Sequence, residues 1–454
     1  MIDSTTFFIA YFYPRVAVYD DYRGWDWTEY SEQLEFYNDF NDYDLKVEAP
    51  DNFMVWATGS LVNPEEVLQP EIEKKLNQSM AYEQVTRIVT PEEWRNKIVT
   101  QHKAVNTWHW KTDNVTDIAF GISDHYDWDG SSTIVDDHTG RRVSAQAAYC
   151  DTAADYHFMS GYARHALDWF SHHWPGVPYP YGKTVIFQGY AGMEYPMMVN
   201  DESYEDTVIS RWVAEHEISH TYMPFYMGIN ETFYGFMDEG WATTFELLIG
   251  RSDLGLKEAN EGFRKYRVAD WAGNTSADQD LPIITPGNNL TSGLNINEYG
   301  KPSLGYLAMM DLLGEDLFKK CLHEYMDRWH GKHPTPWDFF YTFNNASGQD
   351  LNWFWNSWFF SNNYIDLGIT AVNKIKKGYE VMVHNTGGMD IPFYLVTIYT
   401  DNSHEVRHIK PDIWSSGAKT VSVEVNTRKK IQLVNIDSGI FMDAKESDND
   451  WIMK

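Results

Sequence analysis

Five residues constrain this chain more than any others: His216-Glu217-Ile218-Ser219-His220. The surrounding pattern predicts a helix over Trp212 to Phe225, in which His216 and His220, four apart, share one face. Two imidazoles at that spacing can grip one zinc ion from the same side. Glu217 lies one step around the helix, where it reaches a metal-bound water without being a ligand, as a general base must. Zinc takes a third protein ligand, and a catalytic site leaves its fourth position to water. Eighteen residues separate His220 from Glu239, which opens a second helical pattern, Asp238 to Ile249, with Asp238 as its candidate N-cap. The plainer reading is a buried helix with two satisfied histidines. The added glutamate at its own spacing weighs against it.

Composition bounds what such a site can serve. The 454 residues carry a net charge of −30, which argues against nucleic acid or an anionic membrane as a partner. A hydrophobic content of 43% with 16% aromatic residues supports large cores and a globular chain of about three domains. The two cysteines, Cys150 and Cys321, exclude a disulfide framework; two free thiols are the simpler expectation and a single bridge the alternative. Phe7 to Phe12 is the longest early apolar run. With no basic residues before it and Pro14-Arg15 after it, it is neither a signal peptide nor a membrane span.

Taken in order, residues 1–120 read as a β domain of sandwich type. Strands are expected over Phe7 to Val18, Asp44 to Ala49, Phe53 to Thr58 and Thr107 to Lys111, with helical insertions at Pro64 to Asn77 and Pro91 to Ile98. Residues 121–362 open with strands over Ile118 to Tyr149, joined by turns at Asp129-Gly130 and Thr139-Gly140. A helix over Asp151 to His173 and a short buried strand, Thr184 to Gln188, come next. Beyond the zinc stretch the chain is helical: Leu254 to Trp271, then, after a polar loop from Ala272 to Asn297, Pro302 to Trp329 broken at Gly314, and two aromatic helices to Phe360. Residues 363–454 alternate as a small all-β domain, with strands at Tyr379 to His384, Phe393 to Thr400, Thr420 to Val425 and Lys430 to Ile436.

Three further residues fit peptide chemistry. Glu194 lies on an extended segment between glycines and Pro196, where an edge strand can hold a peptide and a carboxylate can bind its ammonium group. Tyr299 precedes a helix start, and a phenol near the metal can stabilise an oxyanion. Glu246, seven residues after Glu239, can orient a ligand histidine. Read singly, each is equally an ordinary glutamate or tyrosine.

Together these residues resemble the gluzincin zinc aminopeptidases of the aminopeptidase N type. His216-Glu217-x-x-His220 and Glu239 in Asp-Glu-Gly-Trp-Ala match the zinc motif. Gly192-Met193-Glu194-Tyr195-Pro196 is similar to the family's Gly-x-Met-Glu-Asn exopeptidase motif, with Tyr195 in place of the asparagine. Tyr299-Gly300-Lys301-Pro302 resembles its Tyr-x-Lys-Gly segment, and His333 to Phe340 is similar to bacterial members. The resemblance spans nearly the whole chain. It implies an α+β architecture: a thermolysin-like, mainly helical zinc domain between a partial N-terminal β-sandwich and a small C-terminal β-sandwich. It implies one Zn2+ per chain on His216, His220 and Glu239, with Glu217 activating water and Tyr299 stabilising the oxyanion. Glu194 would bind the free amine of a peptide substrate, Ala191, Gly192 and Met193 would line it, and Glu246 would support a ligand histidine. Tyr11 stands where relatives carry a second amine-binding residue. The N-terminal domain is expected to be shortened, its β edge covered by an oligomer or a further segment.

Three functions are compatible with these residues. The first is aminopeptidase activity. The second is another zinc hydrolase on the same scaffold, an endopeptidase or an epoxide hydrolase. The third is a non-catalytic binding protein. Localisation is open between the cytoplasm and a periplasmic or secreted location.

Overall fold

The computed structural model describes residues 2–31, 34–276, 280–290 and 296–453. In chain order it runs from a sheet-rich region through a mainly helical one to a second sheet-rich region, the α+β architecture expected. By contacts the chain forms two units. The first is Met1–Asn230 with Leu248–Gly250 and Trp329–Pro334; the second is Glu231–Leu247, Arg251–Arg328 and Thr335–Lys454.

The first unit is built on sheets. Phe7–Ile9, Phe120–Ser123 and Met54–Ala57 form one three-stranded sheet, and Asn41–Pro50, Val105–Val115 and Ser60–Leu61 another. Apolar residues from both, with Trp56 and Trp108 fully buried, share a core with Trp128 and Phe187 of a third, larger sheet. That sheet has six strands: β1 (Thr86–Val89), β2 (Asp127–Asp136), β3 (Arg141–Tyr149), β4 (Lys183–Gln188), β5 (Met193–Tyr195) and β6 (Met198–Asp201), in the order β5-β6-β4-β3-β2-β1. β3, β4 and β6 run parallel. The crossover from β3 to β4 carries α1 (Met159–His172), whose Ala163, Ala166, Leu167 and Phe170 are fully buried. Separated by three and four residues (163/166, 163/167, 166/170, 167/170), they make one apolar stripe.

Several sequence expectations need correction here. Asp129-Gly130 is no turn. Both residues lie inside β2, opposite Ala147 and Gln146 of β3, and Thr139-Gly140 alone makes the reversal, with φ +70° at Gly140. The glycine serves packing instead: a Cβ on Gly130 would come within 2.8 Å of Ile88 Cδ1 and Ser79 Oγ. The strand expected over Phe7 to Val18 ends at Ile9, because Tyr11 turns to φ +56°, a left-handed conformation no strand tolerates. The helix over Pro64 to Asn77 is two, Pro64–Val67 and Pro70–Ser79, since Pro70 starts a helix but cannot continue one. Cys150 and Cys321 are free.

The second unit begins with helices. Its core is aromatic: Trp241 stacks on Tyr306 with centroids 4.1 Å apart, and Phe339 meets both edge-on. Lys301–Leu313 and Glu315–Trp329 are separated at Gly314 (φ +79°), as its sequence position suggests. Of the polar loop after Trp271, residues 277–279 and 291–295 lie outside the described residues. The unit closes with two antiparallel sheets, Leu367–Ile375/Gly378–Asn385/Thr420–Asn426 and His404–Ile409/Phe393–Tyr399/Ile431–Asp437/Asp450–Ile452. Among the described residues, no helix is long and apolar enough to cross a membrane.

Candidate active site

The helix that carries the two histidines is α2 (Thr207–Ser219). Asp206 starts it, its Oδ1 accepting from the Val208 amide at 2.9 Å. From Ala214 onward the helix is enclosed on all sides. Glu215, His216, Glu217, Ser219 and His220 are all at most 6% exposed, an unusual concentration of polar groups for a protein interior. The rings of His216 and His220 lie 4.9 Å apart, nearly perpendicular. The α-helix stops at Ser219 rather than continuing to Phe225. Pro224 cannot donate to the helical ladder and forces Met223 into an extended conformation (φ −135°), so Thr221–Tyr226 is a wide π-type turn.

Glu194 is the middle residue of β5, which among the described residues pairs only with β6 and so ends the six-stranded sheet. Its side chain is 4% exposed, and its Oε1 lies 3.6 Å from Nδ1 of His220. Met193 begins the same strand, and Ala191 and Gly192 lead into it. A Cβ on Gly192 would stand 3.3 Å from Glu217 Oε1, so a glycine there keeps the backbone close to the glutamate without crowding it. Tyr195 is buried against Phe8 and Tyr11, with centroids 5.2 and 5.6 Å away. Partial burial, then the Tyr195 phenol and the Glu194 carboxylate, hold the Tyr11 phenol well above the ordinary tyrosine range. The left-handed Tyr11 thus belongs to the surroundings of Glu194. The first unit therefore gathers His216, Glu217, His220, Glu194 and the 191–193 segment.

In the second unit, Glu239 is the first residue of α3 (Glu239–Leu254) and is 3% exposed. Asp238 takes the N-cap position, as expected from the sequence, with no side-chain hydrogen bond to the cap amides. Glu246, two turns on, is 1% exposed and forms a two-point ion pair with Arg267: Nε donates to Oε1 at 3.1 Å and Nη2 donates to Oε2. The Arg267 guanidinium lies 5.4 Å from the Tyr299 ring centroid. Against burial, Glu246 and then Glu239 hold that guanidinium above its usual range. Burial, followed by the charge of Glu239, pushes the Glu298 carboxyl up to about 8. Lys301 is fully buried, donating to Leu281 O at 2.9 Å and to Asp280 Oδ1 at 3.3 Å, which anchors the start of the helix after Tyr299. The second unit thus sets Glu239, Glu246 and Tyr299 around Arg267. Arg267 and Glu298 were not found by sequence reasoning. Arg267 has no fixed spacing to the motif; Glu298 could have been found as the acid directly before Tyr299.

Residues 189–358 match the model of the peptidase family M1 domain. No curated protein matches the sequence. Solved structures that share the fold include the following two. Aminopeptidase A of Legionella pneumophila, in complex with aspartic acid, is 14% identical with a TM-score of 0.59, over 86% of this chain and 43% of that one. An M1 zinc metallopeptidase of Deinococcus radiodurans, in a mutant form, is 13% identical with a TM-score of 0.51, over 71% of this chain and 65% of that one. This chain thus spans less than two thirds of either protein. Residues 189–358, which hold Glu194, the His216–His220 motif, Glu239 and Tyr299, are thus similar to a peptidase family M1 domain.

Proposed function

We propose that the chain is a zinc aminopeptidase that removes single residues from peptides with a free N-terminus. The observation that carries this reading is the placement of Glu194. A buried carboxylate on a sheet-edge strand, 3.6 Å from a histidine of the metal motif, is suited to hold an ammonium group beside the reacting carbonyl. The donor set fits zinc: two buried imidazoles on one helical turn, with Glu239 as the third, carboxylate ligand. Zinc, when bound, supplies a Lewis acid for the substrate carbonyl and lowers the pKa of water.

The chain's own residues do the rest. Glu217 takes the proton of the attacking water and returns it to the departing amine. The Tyr299 phenol donates to the oxyanion that forms on the carbonyl oxygen. Glu194 fixes the amine, while the backbone at Ala191, Gly192 and Met193 runs alongside the substrate. Glu246, with Arg267 locking its carboxylate, orients a ligand histidine. One zinc per chain, domain boundaries near 120 and 362, and an oligomer or further segment over the N-terminal β edge belong to the same reading.

The test compares amino-acid anilides and peptides with free and acetylated N-termini, alongside metal analysis of the purified chain. Cleavage of the free forms alone, with one zinc bound, is expected. Equal rates on both forms would point to an endopeptidase, activity confined to epoxides would point to an epoxide hydrolase, and zinc-free, inactive protein to a binding role.

A further inference from the structure

At the carboxyl edge of the parallel strands β3, β4 and β6, Tyr190 stands in the open: it lies in the turn from β4 to β5 and is 69% exposed. Its turn is held at both ends. Gln188 O accepts from the Tyr126 phenol at 3.0 Å, Gln188 Oε1 accepts from Cys150 N at 2.8 Å, and Gly189 N donates to Asp201 O at 2.6 Å. A Cβ on Gly189 would fall 1.6 Å from Asn200 Oδ1, so the backbone passes close against β6 there. At the other end Met193 pairs with Asn200. A single exposed ring is common on protein surfaces. What distinguishes Tyr190 is where it stands. Glu194, Gly192 and Tyr190 follow one another along this segment, Glu194 beside His220 and Gly192 beside Glu217. In the aminopeptidase reading, on which this inference rests, the first marks the substrate's amine and the second its scissile bond. Two residues of extended chain span about 7 Å, so Tyr190 lies level with the first or second residue of the leaving peptide.

The rim around Tyr190 is acidic. β3, β4 and β6 end level with one another: Phe187 of β4 pairs with Ala148 of β3 on one side and with Asn200 of β6 on the other. Asp151 and Glu202 therefore leave the sheet on either side of the Gly189-Tyr190 step, where adjacent strands lie about 4.8 Å apart. Both are exposed, as is Glu205 a little further on. Arg87 comes within 3.8 Å of Asp151, but it is bonded to Asp127 and lies 3.6 Å from Asp129, so one positive charge is shared among three carboxylates.

We infer that Tyr190, with Asp151 and Glu202 beside it, binds a lysine or arginine side chain at the second or third position of the substrate. A cation over the face of a tyrosine is attracted by the ring's quadrupole, and carboxylates at its side add to that attraction. A chain of net charge −30 also draws cationic peptides towards itself. An apolar side chain gains the ring without the charge, and an acidic one is repelled.

The test measures kcat/KM of the full chain, zinc-loaded, on the free peptides Ala-Lys-Ala-Ala and Ala-Ala-Lys-Ala and on the same peptides with leucine or glutamate in place of lysine, at low and high salt. At low salt the better lysine peptide is expected to be cleaved about 10-fold faster than its glutamate counterpart, with leucine between them, and the gap to narrow at high salt. Tyr190→Ala should lower kcat/KM on that lysine peptide about 3- to 10-fold and on the leucine peptide less, whereas Tyr190→Phe, which keeps the face of the ring, should retain the preference. Glu202→Gln should narrow the gap between lysine and glutamate. Wild type with no preference for lysine at either position, or a preference unchanged in Tyr190→Ala, would overturn the inference alone. Wild type that treats free and acetylated Ala-Leu-Ala-Ala alike would overturn the aminopeptidase reading, and this inference with it.

Discussion

From Ala214 to His220 every residue of the histidine helix is buried, charged ones included, whereas from Thr420 to Asn426 exposure alternates residue by residue. In the strand the sorting follows hydrophobicity: Val421, Val423 and Val425 face the core, and Thr420, Ser422, Glu424 and Asn426 face water. In the helix, Glu215, His216, Glu217 and His220 are enclosed although each gives up hydration that only a partner can replace. Burial by hydrophobicity marks scaffold; burial against it marks chemistry, since stability alone would have placed apolar residues at those positions.

That contrast can be broken by substitutions that separate rate from stability. Glu217→Gln keeps shape and zinc but cannot accept a proton, so kcat should fall by about 10³–10⁴-fold with the thermal midpoint little changed. Retained turnover would remove Glu217 from the mechanism. In the scaffold, Leu395→Ala, at a position 1% exposed, should cost about 2–5 kcal/mol in denaturant unfolding while leaving kcat/KM of the folded enzyme intact. A loss of rate equal to that of the helix variants would erase the distinction. Tyr299→Phe removes one oxyanion donor and should lower kcat about 10²-fold with little change in KM. Glu194→Gln should lower kcat/KM on free peptides by about 10–100-fold, the worth of one charged hydrogen bond, and narrow the gap to acetylated peptides. The smallest effect concerns Asp390, whose carboxyl burial pushes up to about 7. Between its ordinary value of 3.8 and 7 the folded chain binds a proton that the unfolded chain has lost. The stability it contributes is therefore full in acid and declines as pH rises through that window. Asp390→Asn should flatten this slope in pH-dependent unfolding, and an unchanged slope would show that another group carries it.

How much of this was legible in the sequence follows the same division. The alternating strands from Tyr379 to Ile436 were readable because period-two burial writes itself into residue type. The edge strand His404–Ile409, with five of its six residues exposed, was missed because it has no buried face to reveal. The zinc motif was readable because metal binding fixes both identity and spacing. Arg267 was not, because an ion pair to Glu246 requires only that the fold bring the two together, from any distance along the chain. Asp129-Gly130 failed for a related reason. Glycine there answers the close approach of Ser79 and Ile88, which only tertiary structure contains.

The stop of α2 at Ser219 also has an electrostatic consequence. The aligned peptide dipoles of a helix leave about half a negative charge at its carboxyl end, on carbonyls without intrahelical partners. Here that end coincides with the turn from His216 to His220. Both imidazoles therefore project from the negative pole of their own helix, and the backbone favours a cation between them before any side chain is counted. A helix running on to Phe225, as the residue pattern first suggests, would have carried that pole a turn and a half away. Pro224, which ends the α-helix here, thus decides where along the chain that pole falls.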